Sequence, residues 1–205
     1  MKKLKISLIH LDIHHGLADE NRAALLALIR QSAAEGAQVI VAPELSISGY
    51  SFDNRAAVAP LVETMEGPTV SALRDLARSL KVYICIGLAI ENVPSGAYTN
   101  SAVVVDTDGE IVCRYDKINA ESRWACPGNP RQDNTFDTPW GRAGVLICSD
   151  SYYGLMPRVT ALRNADLLLV PANWPPAGLD PRELWRARAL ENGLYLAACN
   201  RTGMD

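Results

Sequence analysis

Short apolar runs alternate along this chain with longer segments whose apolar positions recur every three to four residues. KISLIHL (5–11) reads as a strand. ADENRAALLALIRQSAAEG (18–36) sets Leu25, Leu28, Ile29 and Ala33 at helical spacing, with acids in its first turn and Gly36 at its stop. QVIVAP (38–43) is a β-branched run between Gly and Pro, the pattern of a strand buried on both faces. A helix over about 68–80 opens at Gly67-Pro68, and KVYICIGLAI (81–90) is a second buried strand. SAVVVD and EIVCRY flank Thr107-Asp108-Gly109, where Asp-Gly between two strand patterns predicts a hairpin. AGVLICS (143–149), a helix near 155–164, ADLLLVPA (165–172), a helix near 181–193 and LYLAAC (194–199) complete the series. Strands and helices in alternation, with hairpins inserted, imply a layered α/β domain whose helices cover the outer faces of sheets. No repeat, low-complexity block or linker divides the 205 residues, so one domain is expected throughout.

Composition narrows the partners. Apolar residues make up 48% of the chain and charged residues 21%, which provides an ample core and excludes disorder as the whole story. Twenty Lys and Arg face 23 Asp and Glu, and no basic cluster denser than the opening KKLK occurs, so neither nucleic acid nor an anionic membrane is the expected partner. A small molecule is. The first apolar run is broken by His10 and Asp12 before it resembles a secretory signal, and no stretch approaches the roughly 18 apolar residues of a membrane helix. The cysteines at 85, 113, 126, 148 and 199 are odd in number and lack a CxxC, which favours a reducing cytoplasm over a disulfide framework. His10, His14 and His15 include an i, i+4 pair, but a strand pattern at His10 separates such side chains, and no metal is expected.

In open α/β sheets, reactive groups collect beyond the carboxyl ends of strands. The strand ending at Pro43 delivers Glu44, and the one ending at Tyr115 delivers Asp116 and Lys117. AGVLI delivers Cys148, Ser149 and Asp150, and the strand ending at Pro171 delivers Asn173 and Trp174. A thiol, an ammonium and a carboxylate at such exits suit nucleophilic attack on an amide. The thiol needs a base or a positive charge beside it, which Glu44 and Lys117 offer; an ammonium and the Ser149 backbone N–H can hold the resulting oxyanion. Taken singly, each residue also has an ordinary explanation: a core thiol, a solvated hairpin end, an exposed or ion-paired carboxylate.

The blocks PELSISGYSF (43–52), YDKINAESRWACPGN (115–129), GVLICSD (144–150), ADLLLVPANWP (165–175) and RELWRARALENGLYLAACNRTG (182–203) resemble, in order and spacing, the nitrilase superfamily of carbon–nitrogen hydrolases. The resemblance runs from residue 4 to the end. It implies Glu44 as general base and acid, Lys117 as oxyanion stabiliser, Cys148 as nucleophile and Glu121 as a second glutamate that orients the substrate and the lysine. It implies an αββα sandwich of two mixed sheets in place of the single doubly wound sheet that alternation alone suggests. It further implies hydrolysis without a cofactor through a Cys thioester, and copies that pair through the helices following Cys148 and Trp174.

CSDSYYGLMPR lacks the arginine after the nucleophile that relatives cleaving N-carbamoyl amino acids use, which weakens that substrate here. Tyr50, Tyr152, Tyr153 and Trp174 suggest aromatic walls suited to a neutral or amine-bearing amide, with core packing as their ordinary alternative. A small amide or N-carbamoyl compound is the leading substrate. A glutaminase module feeding a synthetase, a nitrilase (disfavoured by Ser149 where true nitrilases carry Trp) and a noncatalytic scaffold follow. Relatives continue past Asn200-Arg201-Thr202 into further strands and a tail, so the 1–205 domain is expected to be incomplete at its C-terminal end.

Overall fold

A computed structural model describes residues 3–175 and 180–203; the expectation about the end of the chain at residue 205 lies outside them. The strands form two mixed sheets. The first has the order β1 (Ile6–Leu8), β2 (Val39–Val41), β3 (Tyr83–Asn92), β4 (Ala97–Val105), β5 (Ile111–Asp116). Its first three strands run parallel, and β3, β4 and β5 are antiparallel neighbours. The second has the order β6 (Thr135–Thr138), β7 (Gly141–Val145), β8 (Leu167–Ala172), β9 (Tyr195–Asn200), antiparallel only at β6–β7.

Side-chain alternation assigns the layers. Val39, Val41, Tyr83, Cys85, Ala102, Val104, Cys113 and Tyr115 face the second sheet and pack with Phe136, Val145 and Leu169. Their neighbours Ile40, Ile84, Ile86, Leu88, Val103 and Val105 face outward. There they meet Leu25 and Ile29 of α1 (Ala18–Ala34) and Val70, Leu73 and Ala77 of α3 (Pro68–Leu80). The other helical layer is α4 (Leu155–Leu162) and α5 (Pro181–Asn192), which reach the core through Met156, Ala161 and Trp185. The result is the αββα sandwich. A short helix, α2 (Arg55–Val58), lies between β2 and α3.

The helix over 68–80 forms as the pattern predicts, with Pro68 at its first position and Lys81 closing it in the left-handed region. The Asp-Gly hairpin forms as well: Gly109 takes φ +76°, and Asp106 Oδ1 accepts from the Asp108 and Glu110 amides at 2.9 Å each. Differences fall where local pattern is weak. β1 spans three residues of the seven that alternation suggests; beyond Leu8 the buried chain leaves the ladder with β2 after the Ile9 N–H donates to Val41 O at 2.9 Å, and Leu11 O accepts instead from the Thr202 N–H at 3.0 Å. The β3–β4 hairpin is longer than its apolar runs, since Glu91, Asn92 and Tyr98 extend it with polar residues. β6 is paired although TFDT carries no strand signal of its own. Among the described residues no helix is long and apolar enough to cross a membrane.

Candidate active site

Glu44 lies three residues past the end of β2, in a turn fixed to β3: the Gly87 N–H donates to Pro43 O at 3.1 Å, and the Ser46 N–H donates to Gly87 O at 2.9 Å. This approach requires a glycine, for a Cβ on Gly87 would sit 2.5 Å from Glu44 Cα. Leu45 takes φ +49°, which turns the chain so that the Glu44 side chain enters the protein, fully buried. Lys117 leaves β5 with its N–H on Asn100 O at 2.8 Å and its carbonyl accepting from Gly128 N at 2.8 Å. Cys148 opens a 3-10 turn, Cys148–Ser151, directly after the segment that follows β7, and takes φ +41°. Asn173 and Trp174 follow β8.

These exits converge. Lys117 Nζ lies 2.5 Å from Glu44 Oε1, and Asn100 Nδ2 donates to the same oxygen at 2.7 Å. The Asn173 N–H donates to Glu44 Oε2 at 3.0 Å. The Cys148 thiol lies within hydrogen-bond reach of the Glu44 carboxylate and the Asn173 amide. Burial and the Glu44 charge push the thiol well above its ordinary value, against the opposing pull of Lys117. The resting Cys148 is therefore a thiol, and a role as nucleophile would need its proton removed at the moment of attack. Burial opposes the charge on Lys117, but the Glu44 carboxylate, first among the favourable influences, outweighs it and holds the ammonium charged. Tyr50 faces the lysine, its ring centroid 5.6 Å from Nζ, and burial followed by the Glu44 charge pushes its phenol up to about 12.

The group opens onto a cleft of about 1590 Å³ whose wall includes Tyr50, Lys117, Cys148, Ser149, Asn173 and Trp174. Tyr152 and Trp174 stack with centroids 6.2 Å apart, and Trp174 meets Trp185 edge-on at 5.9 Å. These aromatics line the cleft, and Trp174 and Trp185 also pack against the core between the sheets. Ser149 stands in the first turn of the 3-10 helix, where an N–H has no intrahelical acceptor and can face a ligand.

Glu121, expected to orient the substrate and the lysine, has a nearer partner of its own. Its carboxylate pairs with Arg123 Nη2 at 3.1 Å, and among the described residues the ion-pair partner of Lys117 is Glu44. The Arg123 hydrogen bond comes first among the influences that hold Glu121 below the usual carboxylate range, with Lys117 a smaller one at longer range. An arginine two residues away captures the side chain more readily than a lysine already paired. Asn100 carries no signal of its own in the pattern, because it lies mid-strand in the polar run Thr99-Asn100-Ser101 and not at a strand exit. Asp150 was noted only as a residue following the nucleophile. Its carboxylate is fully buried and accepts from Tyr115 Oη, the Ile118 and Asn119 amides and Asn119 Nδ2.

Comparison with known proteins gives a family, relatives and structures. A family model described as carbon–nitrogen hydrolase matches residues 5–205. A protein named nitrilase from Pyrococcus abyssi is 35% identical over 193 residues, covering 91% of this chain and 71% of that protein. The 2-oxoglutaramate amidase of Bacillus subtilis is 30% identical over 209 residues, covering 99% of this chain and 78% of its own length. A solved cysteine-to-alanine variant of the Nesterenkonia sp. AN1 amidase, in complex with butyramide, superposes with a TM-score of 0.84 at 26% identity, covering 98% of this chain and 77% of that one.

Proposed function

From the fact that this chain belongs to the carbon–nitrogen hydrolase family, we propose that it hydrolyses small linear amides, with Cys148 as nucleophile, Glu44 as general base and acid and Lys117 as oxyanion stabiliser. The observation that carries the reading is the buried convergence of one thiol, one carboxylate and one ammonium at the floor of the cleft. Glu44 removes the thiol proton as Cys148 Sγ attacks the amide carbon. The oxyanion forms beside the Lys117 ammonium, with the Ser149 N–H as a second donor. Collapse expels the amine or ammonia, which takes its proton from Glu44, and a thioester remains. Glu44 then activates water, the acid leaves, and Cys148 regains its proton.

Aromatic walls of Tyr50, Tyr152 and Trp174 favour a neutral acyl chain, in keeping with the butyramide seen in the Nesterenkonia amidase. Similarity to a 2-oxoglutaramate amidase favours a second reading, in which the amide carries a distal carboxylate and Arg186, exposed on the cleft wall, receives it. Ammonia release across butyramide, 2-oxoglutaramate, glutamine, N-carbamoyl amino acids and nitriles separates these readings. The first expects butyramide to exceed the acids in kcat/KM. Loss of all turnover in Cys148→Ala is required, and ammonia release by that variant would sink the mechanism.

The same reading includes a homo-oligomer in a reducing cytoplasm. Exposed Leu155 and Leu162 on α4, Leu190 on α5 and Tyr195 on β9 supply apolar surface for pairing, and all five thiols are free. Sedimentation of the purified chain tests the pairing: a monomer at micromolar concentration overturns it.

A further inference from the structure

We propose that Asp150 is a positioning residue that sets the spacing between Lys117 and Cys148, by holding the lysine loop against the nucleophile turn. This rests on the roles proposed above for those two residues. Asp150 is fully buried, and both of its oxygens are engaged. Oδ1 accepts from the Asn119 N–H at 2.7 Å and from Asn119 Nδ2 at 2.8 Å. Oδ2 accepts from Tyr115 Oη at 2.7 Å and from the Ile118 N–H at 2.9 Å.

The four donors therefore come from the residues on either side of Lys117, two positions before it and one and two after it. Asp150 itself belongs to the 3-10 turn that Cys148 opens, and its N–H donates to Ile147 O at 2.9 Å. One side chain thus joins two segments that share no ladder: β5 lies at the far edge of the first sheet from β1, and the nucleophile turn follows β7 of the second. A carboxylate satisfies all four donors because it only accepts. Asparagine cannot, since its NH2 must face an N–H on one side or the other. A neutral hydrophobic replacement leaves the two backbone amides without partners in a buried place.

The Asp150 carboxylate also acts electrostatically on one of its donors. Tyr115 is its hydrogen-bond partner, and burial followed by the Asp150 charge raises that phenol strongly. Arg163, at the end of α4, opposes that rise and Asp116 of β5 adds to it, so Tyr115 keeps its proton and donates it to Asp150.

Alkylation of Cys148 by acrylamide tests the spacing without any substrate. Lys117 lowers the thiol pKa, so moving it away reduces the thiolate fraction. In Asp150→Asn the second-order alkylation rate at pH 8 is expected to fall about tenfold, the equivalent of one pKa unit. Tyr115→Phe, which removes one donor of the four, is expected to lower it about threefold, and serves if Asp150→Asn does not fold. A merely loosened site behaves in the opposite way, because an opened pocket labels faster. A rate equal to or above that of the unmodified protein in the folded variants overturns the proposal. Turnover is read separately on unlabelled protein: kcat is expected to fall about 100-fold in Asp150→Asn, with KM little changed. Should no amide be turned over by the unmodified protein, the amidase reading fails, while the alkylation rates still decide the role of Asp150.

Discussion

Lys117 Nζ and Glu44 Oε1 lie 2.5 Å apart with both side chains out of contact with solvent. Two buried charges stabilise a protein only as a pair, and removal of one leaves the other uncompensated. Lys117→Met is therefore expected to cost about 3–5 kcal/mol of stability as well as turnover. The double variant Lys117→Met, Glu44→Gln regains most of that stability and none of the activity. Thermal melts beside ammonia assays check both statements; a single variant as stable as the parent contradicts the first.

Cys148 takes φ +41°, a conformation costly for any residue with a Cβ. Cys148→Ala keeps that strain, whereas Cys148→Gly relieves it. Both variants are expected to be inactive, with the glycine variant equal to or more stable than the alanine variant by up to about 1 kcal/mol despite its smaller side chain. A glycine variant that melts well below the alanine one would show that the turn carries no strain.

Gly87 supports the base from outside the site. A methyl group there meets Glu44 Cα at 2.5 Å and Leu45 N at 2.8 Å, both backbone atoms that cannot swing aside. Gly87→Ala is expected to displace the turn by a fraction of an ångström or more, with kcat falling about 100-fold while the melting temperature drops only modestly. Unchanged kcat would mean that the turn and β3 move together without disturbing Glu44.

Alkaline pH weakens the fold through thiols that take no part in the chemistry. Burial holds Cys113 and Cys199 up to about 12, against an ordinary thiol value near 9. A group whose folded pKa is raised contributes stability that is fully present below the unfolded value and is lost as pH rises toward the folded one. Unfolding free energy is thus expected to be flat from this source below pH 9 and to fall between pH 9 and 12, by up to about 1.4 kcal/mol per pH unit per thiol. Urea melts across that range check it, and Cys113→Ala, Cys199→Ala should flatten the slope.

Periodicity was enough to locate α1, α3 and the parallel strands, because each buries a regular face and carries its own start and stop residues. The exits that deliver Glu44, Lys117, Cys148 and Asn173 were legible for the same reason: a strand's end is a local property. Their convergence was not, since it depends on how two sheets stack, and the pairs that matter lie 73 and 129 positions apart. Family resemblance supplied that step and the sandwich. Asn100 and the contacts of Asp150 stayed hidden because a buried polar side chain's partners depend on segments distant in sequence and show no period. The partner of Glu121 was not legible either: the resemblance names the residue but cannot report that Arg123 stands nearer to it than Lys117 does.

Each member of the site hangs from a different strand, and the first sheet holds Glu44, Asn100 and Lys117 while the second holds Cys148 and Asn173. Neither sheet alone contains both the Cys148 thiol and the Glu44 carboxylate. During refolding, then, their meeting, and any activity that needs it, can arise only after the two layers have closed on each other, a late event in a chain so rich in distant contacts. The reactive thiol is in this sense a clock for docking, silent about the formation of the individual sheets and sensitive to the moment at which they meet.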